Sequence, residues 1–134
     1  MGAACRRAPR LARSPRRDAA AARQLLGASK LVGVSIHTAT EASVIDPAVA
    51  DYAIAGPAYE TASKPGYGPE IGRKGLADLA RSSRVPLVAI GGLNAMRAAE
   101  VLAVGVAGIA VMGSVMRAAD PGLEMKALLA TVAR

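Results

Sequence analysis

The sequence predicts an α/β fold with a parallel sheet, on three observations. Four short apolar segments alternate with segments of helical pattern, which is typical of parallel βαβ units. Hydrophobic residues make up 52% of the 134 residues but aromatic residues only 2%, so the core has to be built of Ala, Val, Leu and Ile. Each apolar segment ends in a polar or glycine-rich turn, at the sheet edge where parallel α/β folds bind their ligands.

The four apolar segments are expected to be the strands. They are LVGVS (31–35), DYAIAG (51–56), VPLVAIGG (85–92) and AGIAVMG (107–113). All four are continuous and rich in Val, Ile and Ala, as expected of strands that helices cover on the faces of the sheet. Pro86 is compatible with the third strand because it stands near its start.

Capping residues predict the helices between and after these strands. Asp18 is suited to begin the first helix, and Gly27 to end it. Thr38 and Glu41 have the spacing of a capping box, which predicts a short helix after the first strand. Another helix is expected from about 72 to 83. The remaining predicted N-caps are Asn94 and Asp120, the latter followed by Pro121.

Residues 1–17 are expected to be a disordered Arg-rich tail, and residues 18–134 the folded domain. Six of the 17 basic residues lie in this tail, which contains no acid, so the net charge of +7 belongs to the tail and the remainder is nearly neutral. A nucleic-acid partner is therefore not expected of the fold. A transit peptide or a nucleic-acid-binding arm is an alternative reading of the tail itself.

Composition also bears on membranes and redox state. No apolar run reaches the roughly 20 residues that a membrane span needs, so no membrane partner is expected. Cys5 is the only cysteine, which excludes an internal disulfide framework and fits a reducing compartment such as the cytoplasm. The acids are scattered, and they form no metal-binding pattern with the single histidine.

GPAYETASKPGYGP, residues 56–69, is expected to be a binding loop. It is too long and too broken for an ordinary connection, and it follows a strand directly. Lys64 is a cation suited to a phosphate or diphosphate, and Thr61 and Ser63 offer hydroxyl groups or amides on one side of the loop. A solvated lysine is the alternative.

Glycine turns after the third and fourth strands predict a phosphate site. Gly91 and Gly92 precede the helix capped by Asn94, and Gly113 follows the fourth strand in the same way. Glycine lets backbone N–H groups approach an anion, and (β/α)₈ barrels often hold a phosphate between their last two strand–helix loops. The alternative is an ordinary turn role for these glycines.

His37 follows the first strand, two residues after Ser35. Its titration range suits general acid–base chemistry, and a turn or helix-cap role is the alternative.

Taken together, these motifs resemble the thiamine phosphate synthase/TenI family. The resemblance rests on SIH (35–37), ADYAIAGPAYETASK (50–64), PLVAIGGLN (86–94) and GIAVMGS (108–114), in matching order and spacing over roughly 18–134. It implies a partial TIM (β/α)₈ barrel, in which this chain corresponds to about the last four βα units. The first three strands of the barrel have no counterpart, and the Arg-rich tail stands where the fourth would be.

The resemblance also implies a reaction and its residues. In the synthase, a hydroxymethylpyrimidine diphosphate loses pyrophosphate, and the nitrogen of a thiazole phosphate attacks the resulting cation to give thiamine phosphate. Ser35 and Lys64 would contact the pyrimidine diphosphate, with Lys64 as a catalytic residue. Mg²⁺ is the family's cofactor, and no residue here matches its carboxylate ligands. The thiazole phosphate would be held by Thr61, Ala62, Ser63, Gly92, Met112 and Gly113, the last at a position where the family prefers serine.

Two other readings stay open. The TenI branch shifts a double bond in a thiazole carboxylate phosphate, and there His37 would be the catalytic acid–base; Glu60, where the synthase has a proline, favours this branch. The third reading is a non-catalytic fragment or pseudoenzyme. Because half of the barrel has no counterpart, the expected partner is a second copy or a complementing half-barrel chain, and turnover by the chain alone should be negligible.

Overall fold

A computed structural model describes residues 15–66 and 68–133 of the chain, with side chains from residue 18 onward. Within these residues, helices and strands alternate as the sequence predicts. The elements are α1 (Pro15–Leu26), β1 (Gly33–Ile36), α2 (Ala39–Ser43), β2 (Tyr52–Ala55), α3 (Gly72–Ser82), β3 (Leu87–Ile90), α4 (Ala95–Leu102), β4 (Gly108–Ala110), α5 (Gly113–Met116) and α6 (Pro121–Val132).

The four strands form one parallel sheet in the order β1-β2-β3-β4. Each strand pairs with its sequence neighbour, and a helix lies in every connection: α2, α3 and α4. The predicted α/β class with a parallel sheet is confirmed. All four carboxyl ends lie at one edge of this sheet, so the loops that follow the strands come together there.

The core consists of aliphatic residues packed between the sheet and the helices. Its largest fully buried side chains are Val34, Ile36, Leu76 and Val101, and many of the other buried positions are alanines. No polar or charged side chain in the described part of the chain is fully buried. A core of small aliphatic residues is what the near absence of aromatic residues leads one to expect.

Local capping contacts set the helix ends. Thr38 and Glu41 form the predicted capping box, in which the Thr38 hydroxyl accepts from the Glu41 amide at 3.2 Å. Gly27 follows α1 with φ +72°, and its amide donates to the Arg23 carbonyl at 2.9 Å. The predicted N-caps Asn94 and Asp120 also accept from the backbone of their helices, at 2.9 and 3.0 Å.

Several predicted boundaries were wrong. The third strand spans Leu87–Ile90 rather than 85–92, and the fourth spans Gly108–Ala110 rather than 107–113. Helix α1 begins at Pro15 rather than after Asp18, so Asp18 lies in its first turn and residues 15–17 belong to the helix. Proline is well suited to a first helical position because its φ is preset and its missing N–H is not needed there. The expected tail is otherwise residues 1–14, which lie outside the described residues. The first strand begins at Gly33 rather than Leu31.

An ion pair at the amino-terminal edge of the sheet explains the start of β1. Asp51 accepts 2.6 Å hydrogen bonds from the Arg23 guanidinium and from the Val32 amide. Arg23 also donates to the carbonyls of Gly27 and Lys30, at 3.0 and 2.7 Å. The Val32 amide, followed by Arg23, holds the pKa of Asp51 below its ordinary value of 3.8. The Val32 amide is therefore bonded to a side chain, whereas the Val32 carbonyl accepts from the Asp51 amide at 2.8 Å, and β1 begins at the next residue.

The described helices contain none with both the length and the apolarity to cross a membrane.

Candidate functional site

A cavity of about 820 Å³ opens at the carboxyl ends of the four strands. Its walls come from all four strand–helix loops. Every residue that the sequence singled out for a role lines it: Ser35, His37, Thr61, Ala62, Ser63, Lys64, Gly92, Met112 and Gly113. The parallel sheet thus brings together residues that are up to 78 positions apart in the chain.

The long loop after β2 is closed at its base and exposed at its tip. Two backbone hydrogen bonds close the base, from Ile71 to the Pro57 carbonyl at 2.9 Å and from Gly72 to the Ala58 carbonyl at 2.8 Å. The tip, residues 62–66, is exposed, and Lys64 lies at its centre. The loop therefore holds its hydroxyl groups and its cation on a projection beside the cavity.

The base of this loop also extends along the loop after β3. Ala58 donates to the Ile90 carbonyl at 2.8 Å and Tyr59 to the Gly91 carbonyl at 3.1 Å. Gly92 stands in the left-handed region, with φ +62°, and a Cβ on it would lie 2.9 Å from the Tyr59 Cβ and collide with the Glu60 carbonyl oxygen. Glycine is required at position 92 for the approach of the two loops, whatever ligand the cavity holds.

Arg97 contacts both the loop after β2 and the loop after β3, and the sequence analysis did not identify it. Its Nη1 donates to the Gly92 carbonyl at 2.8 Å, and its guanidinium lies 4.7 Å from the centre of the Tyr59 ring. The Tyr59 hydroxyl donates to a Glu100 carboxyl oxygen at 3.3 Å. Burial is the main cause that raises the pKa of the Tyr59 hydroxyl above its ordinary value, and the Glu100 carboxylate is the second.

His37 is exposed at the mouth of the cavity and is held by two contacts. Its backbone amide donates to a Glu41 carboxyl oxygen at 2.6 Å, and its Nδ1 lies 2.6 Å from the Gly56 carbonyl oxygen. A carbonyl oxygen only accepts, so Nδ1 carries the proton. In the neutral ring Nε2 is then the acceptor, and it is the atom that could take a proton from a ligand.

A second arginine that the sequence analysis missed lies on the opposite wall. Arg117 follows the single turn α5, and its Nη1 donates to the Ser63 hydroxyl at 3.2 Å. This contact joins the loop after β4 to the tip of the loop after β2. The only available sequence signal was an arginine four residues after Gly113, which is one helical turn.

The cavity offers little to a metal ion. Its lining acids are Glu41 and Glu60, and one Glu41 oxygen already accepts from the amides of His37 and Thr38. The described residues contain no group of three or more His, Cys, Asp or Glu side chains that could hold a metal. The residues present therefore do not fit a Mg²⁺ site by themselves.

Known proteins match both the sequence and the fold. A family model described as thiamine monophosphate synthase matches residues 15–115. The thiamine biosynthesis bifunctional protein ThiM/ThiE of Symbiobacterium thermophilum is 43% identical over 86% of this chain and 24% of its own length. The thiamine-phosphate synthase of Roseiflexus sp. is 39% identical over 83% of this chain and 47% of its own.

A solved structure of a protein with a related name has a similar fold. The thiamine phosphate pyrophosphorylase of Pyrococcus furiosus superimposes with a TM-score of 0.73 and 34% identity, over 86% of this chain and 54% of that one. The chain spans about half the length of this structure and half or less of the two relatives above. The match extends over the strands and the loops that form the cavity, and the chain therefore belongs to the thiamine monophosphate synthase family.

Proposed function

We propose that this chain contributes the thiazole-phosphate-binding part of a thiamine phosphate synthase active site. The observation that carries the proposal is that all nine residues expected from the family motifs line one cavity at the carboxyl ends of the strands. Relatives 39% identical to the chain are named thiamine-phosphate synthase. The chain spans only part of the length of those relatives, so their substrates and their reaction are proposals for this chain.

The thiazole phosphate would lie between the tip of the β2 loop and the turns after β3 and β4. Thr61, Ala62 and Ser63 offer hydroxyl groups and amides on one side of the cavity. The backbones of Gly92, Met112 and Gly113 offer amides on the other. Hydrogen bonds to an ionised phosphate are about twice as strong as neutral ones, so such a set would orient the thiazole by its phosphate end.

Lys64 and Ser35 would act on the second substrate, the pyrimidine diphosphate. The bond between its methylene carbon and the diphosphate oxygen breaks, and pyrophosphate leaves with the electron pair. The thiazole nitrogen then supplies its lone pair to the methylene carbon, forming the new C–N bond. A lysine ammonium beside the departing oxygens would stabilise the charge that develops on them. The described residues of the cavity do not fit a Mg²⁺ site, so Lys64 is the cation that this part of the chain would offer to the leaving group.

His37 supports a second candidate function, a thiazole tautomerase of the TenI type. The Gly56 carbonyl fixes the proton on Nδ1, which leaves Nε2 of the neutral ring as a base at the cavity mouth. A double-bond shift needs a proton removed from one carbon and returned to another, which one histidine could do. This reaction needs one substrate and no metal.

The proposed unit is residues 18–134 as a half-barrel domain, extended at its start by the first turn of α1. Its expected partner is a second copy or a complementing half-barrel chain. A non-catalytic fragment or pseudoenzyme is the remaining alternative, because the described residues lack a metal-binding group.

Calorimetric titration of the purified chain with thiazole phosphate tests the proposal. We expect saturable binding, and weaker binding of the dephosphorylated alcohol. Lys64→Ala should weaken binding of the pyrimidine diphosphate, whereas Lys74→Ala, which removes the same charge from the exposed side of α3, should not. Equal affinity for the phosphate and the alcohol would contradict the proposed site.

Activity assays separate the candidate reactions. Pyrophosphate release that requires both substrates and Mg²⁺ identifies the synthase. Isomerisation of a single thiazole substrate, lost in His37→Asn, identifies the tautomerase. Binding without either activity identifies the non-catalytic alternative.

A further inference from the structure

We propose that Arg117 is an additional anion ligand of this cavity and takes the phosphate group of the substrate together with Ser63. The inference rests on the proposed function, which it deepens by naming a residue for the phosphate. Arg117 lies on the loop after β4 and reaches across the cavity to the tip of the β2 loop, where Nη1 donates to the Ser63 hydroxyl at 3.2 Å. Both residues line the cavity.

Arg117 is a cation with N–H groups that are not used in hydrogen bonds to the described residues. The ion pairs found among the described residues are Arg23 with Asp51 and Arg81 with Asp78, so Arg117 has no carboxylate partner there. Its contact with Ser63 uses one of the five N–H donors of a guanidinium. An arginine fork can bind two oxygens of a phosphate at once, and a neighbouring hydroxyl is a suitable further donor.

Arg97, the other arginine of the cavity, is engaged differently. Its Nη1 is bonded to the Gly92 carbonyl and its plane lies against the Tyr59 ring. It therefore connects two loops of the protein. Arg117 is the arginine whose donors are left for a ligand.

Gly113 leaves the space in which the Arg117 guanidinium lies. A Cβ built on Gly113 would stand 2.7 Å from Nη1 and 2.8 Å from Cζ of Arg117, which is closer than such atoms come. A side chain at position 113 would require the guanidinium, the flexible end of the Arg117 side chain, to move from its observed position. Glycine at position 113 is therefore compatible with the guanidinium position from which Arg117 reaches Ser63.

The residue next to Gly113 is a second, independent observation at the same place. Ser114 lines the cavity, and its Oγ is the buried side-chain oxygen that has no hydrogen-bond partner within the described structure. A buried hydroxyl without a partner costs stability, so such groups in native proteins call for an explanation. Rotation of the Ser114 side chain toward the cavity would let this hydroxyl donate to a phosphate oxygen held by Arg117.

Calorimetric titration of wild-type chain and Arg117 variants with thiazole phosphate and with its alcohol tests the inference. Arg117→Ala should weaken binding of the phosphate on the order of 10- to 100-fold, the loss expected for hydrogen bonds to a charged group. Arg117→Lys should restore only part of the affinity, because an ammonium cannot form the two-pronged contact. Binding of the alcohol should change less than twofold in either variant.

The matched control is Arg84→Ala. Arg84 is also exposed, and replacing it with alanine removes the same charge. It precedes β3 at the opposite end of the sheet from the cavity, so the affinity of this variant for thiazole phosphate should stay within twofold of wild type. A wild-type chain that binds thiazole phosphate, with an Arg117→Ala variant that binds it within twofold, overturns the role of Arg117 and leaves the proposed function standing.

Titration with inorganic phosphate tests the role of Arg117 in the case where the proposed function fails. If the wild-type chain does not bind thiazole phosphate, the proposed function is wrong, and Arg117 is then judged from NMR shifts of the Gly113 and Ser114 amides during a phosphate titration. Shifts that disappear in Arg117→Ala support the anion ligand. Shifts that persist in the variant, or that are absent from wild type, overturn it.

Discussion

Replacing Gly92 with alanine should destabilise the chain strongly, for two reasons that add. A Cβ in the left-handed region costs about 1–2 kcal/mol. The same Cβ would collide with the Glu60 carbonyl oxygen and lie 2.9 Å from the Tyr59 Cβ, and overpacking of this kind typically costs about 1–3 kcal/mol. The expected loss is therefore about 2–5 kcal/mol of unfolding free energy, a large part of the roughly 5–15 kcal/mol that a domain has.

Gly27→Ala is the matched control for this prediction. Gly27 has φ +72°, but no atom lies within 4 Å of the Cβ position. It carries the same backbone cost and the same unfolded-state gain from alanine, without the collision. Its expected loss is about 1–2 kcal/mol, so the difference between the two variants isolates the contact between the loops.

Urea denaturation followed by far-ultraviolet circular dichroism measures both losses. The Gly92→Ala midpoint temperature should also fall by about 8–20 °C, at roughly 4 °C for each kcal/mol in a chain of this size. A Gly92→Ala variant no less stable than Gly27→Ala would refute the argument, because it would mean that the loops after β2 and β3 do not meet at Gly92.

Two further predictions concern side-chain contacts. Arg97→Ala should lose about 1–2 kcal/mol, from one hydrogen bond and one cation–π contact, and hydrogen exchange at the Ala58 and Tyr59 amides should quicken; exchange as slow as in wild type would mean that Arg97 does not hold the loops. Asp51→Asn should lower the midpoint temperature most at neutral pH. Its folded pKa is depressed, so the stability it gives is present above its ordinary value of 3.8 and is lost as pH falls through the folded value. Thermal melts from pH 7 to pH 2 should therefore show the two proteins converging in acid, and a constant difference would contradict the ion pair.

Local chemistry explains which parts of the fold were predictable. Thr38, Asn94 and Asp120 were identified as N-caps because a cap bonds to a backbone amide two or three residues away, within reach of the sequence pattern. The start of β1 was misplaced because Val32 bonds to Asp51, 19 residues further on. That contact depends on the folded arrangement of α1, β1 and β2.

The candidate site likewise contains residues that could be predicted from the sequence and residues that could not. Its lining residues could be predicted because parallel strands bring their carboxyl ends to one edge, which makes any polar residue just after a strand a candidate. Arg97 and Arg117 could not, because they lie within or after helices and reach the cavity only through long side chains. A second reason for glycine at position 92 was not visible in the sequence, because the approach of the two loops at this point appears only in the folded chain.

Because the base of the β2 loop is closed by its own hydrogen bonds, the tip of the loop should tolerate replacement by another sequence. The hydrogen bonds between Pro57 and Ile71 and between Ala58 and Gly72 hold the ends of the segment together, and none of these four residues belongs to the exposed tip, residues 62–66. Loop-closure entropy grows only slowly with length, about 0.6 kcal/mol for each doubling. A longer or unrelated peptide inserted between the same two ends would leave the sheet and its helices as they are. The four-stranded fold could in this respect serve as a scaffold for engineering, in which one short surface segment beside the cavity is replaced by another.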